Sequence, residues 1–230
     1  MLNRRVQNGT ADMSCGAAMS RAACLRAMET GAALAVAQAE DGADILLVGE
    51  MGIGNTTAAT AVLAALTACP AESLVGRGAG LSDAGLERKR AAIQRALSCS
   101  RPRAEDAVEV LSKLGGLELA AMCGAFLGAA ASRVPAVIDG LISGVAALCA
   151  LRLCPAARKA MLASHLTAEP AGEALTEALG LPAPIHAGLR LGEGSGAVAL
   201  LPLLDMALAV YHSGQSFERL GIEAYTPQWG

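Results

Sequence analysis

The residues able to do chemistry fall in a few short loops bounded by glycine. GEMGIGNTT carries Glu50, Gly52, Gly54, Asn55 and Thr56 at the point where an apolar run gives way to helical composition. Glycines at 52 and 54 let the backbone approach a phosphate, and Asn55 and Thr56 offer donors beside a helix N-terminus, where free N–H groups favour an anion. The loop is not a P-loop, because it lacks the Gly-Lys-Ser/Thr ending. It also fails the dinucleotide fingerprint, because Thr57 stands where the third glycine belongs. The same residues also read as an Asn/Thr helix cap behind a glycine turn. Glu50 beside an anion is repulsive unless it binds sugar hydroxyls. Lys89, downstream of the GRGAG turn at 76–80, could supply the compensating charge, yet within ERKRAAIQR it also reads as part of a solvated helix face.

RLGEGSG sets Glu193 between glycines at a helix start. A glutamate there complements the helix dipole. Alternatively it is a general base projecting into an apolar cleft, where desolvation raises a carboxylate towards the useful range. His165 and Glu169 are four apart in SHLTAEP, but Pro170 follows and no third ligand is near, so they read as loop hydrogen-bonders. Seven cysteines (15, 24, 69, 99, 123, 149 and 154) form no CxxC pair, and only three histidines exist (165, 186 and 212). Neither a metal site nor disulfides are expected, and a reducing, cytoplasmic compartment fits.

Strand and helix signals alternate around these loops. A helix is expected from about Ser20, a plausible N-cap, to Glu40. Ala43–Gly49 is a continuous apolar run of strand length, the pattern of a strand buried on both faces. Helical composition follows at Ala58–Ala68. Ser73–Val75 is a short apolar segment in strand position, and Ser82 caps a helix over Asp83–Ser98. Further along, Leu117–Ser132 is helical, Pro135–Ile138 is a strand closed by Asp139-Gly140, and Leu141–Leu153 is helical. Ala160–Ala163 then reads as a strand, and Glu173–Leu179 and Ala197–His212 as helices. Strand–loop–helix units in series predict an α/β domain with a largely parallel sheet flanked by helices, with ligands at the strands' carboxyl ends.

Composition narrows the partners. Of 230 residues, 53% are hydrophobic but only 2% aromatic, so the core is built from Ala, Leu, Val, Ile and Met. Lys plus Arg total 18 against 21 Asp plus Glu, a formal charge of -3, which argues against nucleic acid. Val134–Leu151 is long enough to span a bilayer, but Pro135, Asp139 and Gly140 interrupt it, so no membrane partner is expected. The N-terminal MLNRRVQNGTADMS has no apolar stretch behind its arginines and does not read as a secretory signal.

Taken together, GEMGIGNTT, VGRGAGL with Lys89 downstream, KLGGLELAAMCG, VIDG, SHLTAEP and RLGEGSGA stand in the order and spacing of one family. From about Ser20 to His212 the chain resembles the nicotinate-nucleotide–dimethylbenzimidazole phosphoribosyltransferases of cobalamin assembly. The resemblance implies a Rossmann-like α/β fold that moves the phosphoribosyl group of nicotinate mononucleotide onto 5,6-dimethylbenzimidazole, with no cofactor and no metal. It implies Glu193 as the base. It places Gly52, Gly54, Asn55, Thr56 and Gly78 at the mononucleotide and Lys89 near its phosphate. Glu50, Asp139, Gly140 and Thr167 would line the same cleft, and Leu191 would wall the aromatic pocket. Family members carry a longer N-terminal portion that completes a small helical domain. The expected layout is therefore an N-terminal segment at 1–19, a phosphoribosyltransferase domain at 20–215 and a tail at 216–230. A homodimer is implied, with a separately supplied N-terminal fragment as a further partner. The alternative is a non-catalytic or split-enzyme module that binds the mononucleotide without the acceptor pocket.

Overall fold

In the computed structural model, which describes residues 2–216, 218–223 and 226, helix α1 (Arg21–Glu40) begins where the sequence places it. Ser20 Oγ accepts the Ala23 N–H, satisfying one of the orphan donors of the first turn. Strand β1 (Leu46–Val48) leads through the glycine loop into α2 (Thr56–Thr67). Then come the short α3 (Ala71–Leu74) and α4 (Asp83–Ser100), the latter capped by Ser82 as expected. Helices α5 (Ala107–Leu114) and α6 (Leu117–Ala131) follow, and then β2 (Ala136–Ile138) and α7 (Leu141–Leu153). A 3-10 segment (Pro155–Ala160) precedes β3 (Met161–Ala163), α8 (Gly172–Leu179) and α9 (Ser195–His212).

The described strands form one parallel sheet in the order β1-β2-β3, with Leu47 opposite Val137 and Val137 opposite Leu162. All three residues of β2 are buried, as a central parallel strand requires. The expectation for β1 fails in part. Its strand is Leu46–Val48 rather than Ala43–Gly49, and Leu47 is 36% exposed, because β1 lies at the edge of the described sheet. Ser73–Val75 is also corrected. Pro70 opens a single helical turn over Ala71–Leu74 that buries Leu74, and only Val75 is extended.

Helix α5 has no counterpart among the elements expected from sequence. Asp106 Oδ1 accepts the Glu109 N–H at its start, and Val110, Leu111 and Leu114 are fully buried. The core is helical layers around β2, and its scarcity of aromatic residues reflects close backbone approach. In the seam between α1 and α6, a Cβ at Gly31 would overlap the Ala121 carbonyl, and one at Gly124 the Met28 carbonyl. Helices this close leave no volume for large side chains.

Residues 2–19, the described part of the N-terminal stretch, carry no helix, yet Ala18 and Met19 are buried and donate backbone bonds to Lys113 O and Ser112 O. Parts of the expected tail at 216–230 lie outside the described residues. Among the described helices, α9 is the one long and apolar enough to cross a bilayer by length and composition. Asp205 at its middle is costly in hydrocarbon. Its first turns pack on the sheet through Ala197 and Leu200, which join Val137, Ile45 and Ile185 in a small cluster.

Candidate active site

A cavity of about 280 Å³ opens at the carboxyl ends of the three strands, where strand-to-helix loops converge in an open α/β sheet. Nine of the residues singled out from sequence line it: Glu50, Gly52, Thr56, Gly78, Asp139, Gly140, Thr167, Leu191 and Glu193. Gly54, Asn55 and Lys89 are not in its wall.

Lys89 stands one layer behind. It is 6% exposed, and Nζ donates to Thr56 Oγ1 and to the Gly76 carbonyl, each at 2.9 Å. The solvated-face reading therefore fails for this one lysine of its run. Helix α4 turns it inward to tie the start of α2 to the 76–80 turn. Burial holds its pKa below the ordinary lysine value, and the neighbouring Glu169 carboxylate pushes it back up. The result is a buried cation directly beneath Thr56.

Glu50 folds into its own loop. Oε2 accepts the Gly52 N–H at 2.5 Å and Asn55 Nδ2 at 2.7 Å. Asn55 stands at the N-cap position of α2 but makes no side-chain cap bond, because its amide is turned to Glu50. Its Oδ1 is buried with no protein partner. The Asn-cap reading is thus replaced by a carboxylate–amide clasp that organises the glycine loop.

Asp139 is the hub. Its Oδ1 accepts the N–H groups of Gly196 (2.8 Å) and Ala197 (3.1 Å), and Oδ2 accepts that of Gly194 (3.0 Å). A carboxylate from the end of β2 thereby caps α9, some 55 residues later, with charge-assisted bonds. Ser143 Oγ accepts the Asp139 N–H and donates to Val48 O, joining the ends of β1 and β2. Gly196 must be glycine, since a Cβ there would overlap the His165 imidazole.

Glu193 has φ +58° and donates its N–H to Glu50 O at 2.7 Å, so the RLGEGSG loop is latched to the loop after β1. The expected desolvation is not found. Glu193 is exposed, as is Leu191 at 67%, so the described residues bury neither side chain.

Sequence reasoning missed Ser143 and Arg190 in the cavity wall, and it gave His165 only a loop role. His165 is buried behind Gly140, with Nδ1 2.9 Å from Ser164 Oγ. Its place directly after β3 was the available signal, since that is where ligand loops gather. Glu118, in the first turn of α6, is pushed up from the usual carboxylate range by burial, with the charge of Glu50 adding to the effect. No local pattern distinguishes it. Among the described residues, no group of three or more His, Cys, Asp and Glu is placed to hold a metal ion.

The comparisons with known proteins agree on one group. A family model described as phosphoribosyltransferase matches residues 1–222. The chain belongs to this family. Among its relatives are the nicotinate-nucleotide–dimethylbenzimidazole phosphoribosyltransferase of Halalkalibacterium halodurans, 44% identical over 96% of this chain and 62% of that protein, and that of Acetivibrio thermocellus, 42% identical over 99% and 65%. CobT from Thermus thermophilus, a crystal structure, superposes with a TM-score of 0.90 at 40% identity, covering 97% of this chain and 67% of that one. The chain thus spans slightly less than two thirds of the length of the curated relatives it matches. The phosphoribosyltransferase fold of those relatives accounts for the α/β layering and the three parallel strands described above.

Proposed function

We propose that this phosphoribosyltransferase moves the phosphoribosyl group of nicotinate mononucleotide to 5,6-dimethylbenzimidazole, releasing nicotinate and α-ribazole 5′-phosphate in cobalamin lower-ligand assembly. One observation carries the reading. A single cavity is lined by Glu193, latched to Glu50 through the backbone, and by Thr56, which Lys89 anchors from behind. The names of the relatives support it.

In this reading the 5′-phosphate sits at the N-terminus of α2 and the 76–80 turn, over the buried charge of Lys89. Glu50 then exchanges partners: it releases the Gly52 N–H to the ligand and turns its carboxylate to the sugar. Glu193 takes the N–H proton of the benzimidazole. The freed ring nitrogen attacks the anomeric carbon with inversion, and the glycosidic electron pair leaves on nicotinate. The pyridinium is already a good leaving group, so the chief task of the protein is to hold the two reactants in line. Asp139 positions Glu193 by capping α9, while Gly140, Thr167 and Leu191 shape the walls. Action as a homodimer, with the part of the relatives that this chain does not span covering the base pocket, belongs to the same proposal.

The test is direct. The purified chain is incubated with nicotinate mononucleotide and dimethylbenzimidazole, alone and with the N-terminal portion of a relative, and the products are read by mass spectrometry. Appearance of α-ribazole 5′-phosphate in either mixture supports the assignment. Absence of product in both, with no binding of the mononucleotide, refutes it.

A further inference from the structure

The His165 imidazole lines the cavity but has no role in the scheme above. Its Nδ1 lies 2.9 Å from Ser164 Oγ, and the same Oγ donates to the main-chain carbonyl of Asp139 at 3.2 Å. Ser164 is completely buried. A hydroxyl has one proton, and a buried carbonyl can be satisfied only by a donor. With the Ser164 proton on Asp139 O, the hydroxyl presents a lone pair to His165, which must then carry its own proton on Nδ1. Nε2 is left as a bare acceptor. That edge of the ring faces Gly140 in the cavity wall: a Cβ at Gly140 would lie 3.9 Å from both Nε2 and Cε1. Burial also holds the imidazole below its ordinary pKa despite the Asp139 carboxylate, which keeps it in the neutral form.

An acceptor in a cavity wall selects a donor. On nicotinate mononucleotide the phosphate and carboxylate accept and the pyridinium nitrogen has no proton, so the donors at neutral pH are the two ribose hydroxyls. We propose that His165, as its Nδ1–H tautomer, accepts a hydrogen bond at Nε2 from a ribose hydroxyl of the mononucleotide and so selects ribosyl over deoxyribosyl ligands. This inference rests on the reading that the cavity binds the mononucleotide. The same Ser164–Asp139 chain that sets the tautomer also holds the residue capping α9, so sugar recognition and placement of the Glu193 loop share one network.

The experiment is a double cycle. Wild-type chain and His165→Phe are titrated calorimetrically with nicotinate mononucleotide and with its 2′-deoxy and 3′-deoxy analogues. The substitution should weaken the ribosyl ligand about 3–10-fold, the worth of one neutral hydrogen bond, and leave one of the two deoxy analogues unaffected. Equal weakening of all three ligands would mean that the ring only fills space, and the proposal falls. Nitrogen-15 NMR of the wild-type imidazole needs no variant and should show Nδ1 protonated and Nε2 bare. A proton on Nε2 overturns the inference. Failure of the wild type to bind any of the three ligands overturns it together with the function above, whereas binding of all three with equal affinity overturns this inference alone.

Discussion

Replacing Asp139 with asparagine tests the hub of the site with almost no change of shape. The carboxylate accepts three backbone N–H groups, two at Oδ1 and one at Oδ2. An asparagine amide can keep its oxygen at the Oδ1 position and still accept from Gly196 and Ala197. Its NH2 then faces the Gly194 N–H, donor against donor. One charge-assisted bond worth about 1.5–3 kcal/mol is lost, and the two remaining bonds become neutral and weaker by roughly half. The sum is about 3–6 kcal/mol, reached without opening a cavity. For a chain of this length each kcal/mol moves Tm by about 2–4 °C, so Asp139→Asn should melt roughly 6–24 °C below the wild type. Thermal unfolding followed by circular dichroism measures this. Because the lost bond holds Gly194, the neighbour of Glu193, turnover should fall further than mononucleotide affinity. A variant that melts within about 1 °C of the wild type would show that the α9 cap is not held by this carboxylate.

Four other outcomes follow from the same geometry. Lys89→Met keeps the aliphatic stem but removes the cation beneath Thr56. Affinity for nicotinate mononucleotide should drop by about 1.5–3 kcal/mol while that for the dephosphorylated riboside barely moves, and equal wild-type affinity for the two ligands in calorimetry rules out the phosphate assignment. Glu193→Gln keeps the loop but not the proton acceptor, so turnover in a complemented enzyme should fall by roughly 10²–10⁴ with binding little changed; near-full turnover reduces Glu193 to a helix-dipole residue. Burial pushes the Cys24 thiol up to about 11 and raises Cys123 and Cys149 as well, while Cys15, Cys99 and Cys154 are exposed. Iodoacetamide at about pH 8 should therefore label the exposed three and spare the buried three, and mapped labelling of native Cys149 would contradict the packing. Finally, Val198, Met206, Val210 and Tyr211 stand exposed along α9, so the isolated chain should self-associate, with a clean monomer in light scattering as the contrary result.

Local rules account for the parts of this protein that sequence alone determined. Ser20 and Ser82 cap their helices because each oxygen reaches a backbone N–H three residues away, a relation written in the chain itself. The β2–turn–α7 unit was legible because Asp139-Gly140 interrupts an apolar run at a strand's length from its start. The family motifs placed nine of the twelve anticipated site residues in the cavity wall. What the tertiary structure decided depends on partners far away along the chain. Lys89 reads as one of several surface charges until α4 packs against α2 and brings Thr56, 33 residues earlier, within 2.9 Å. Asp139 reads as the end of a strand until the sheet carries it under the start of α9, 55 to 58 residues later. Leu47 belongs to an apolar run that predicts a strand buried on both faces, and only the strand order puts it at an edge. Propensity and capping are set within about one helical turn and so leave their mark in the local sequence. Which charge is buried, and which donors a carboxylate meets, is fixed only when distant segments close upon one another, and nothing in the neighbouring residues records that closure.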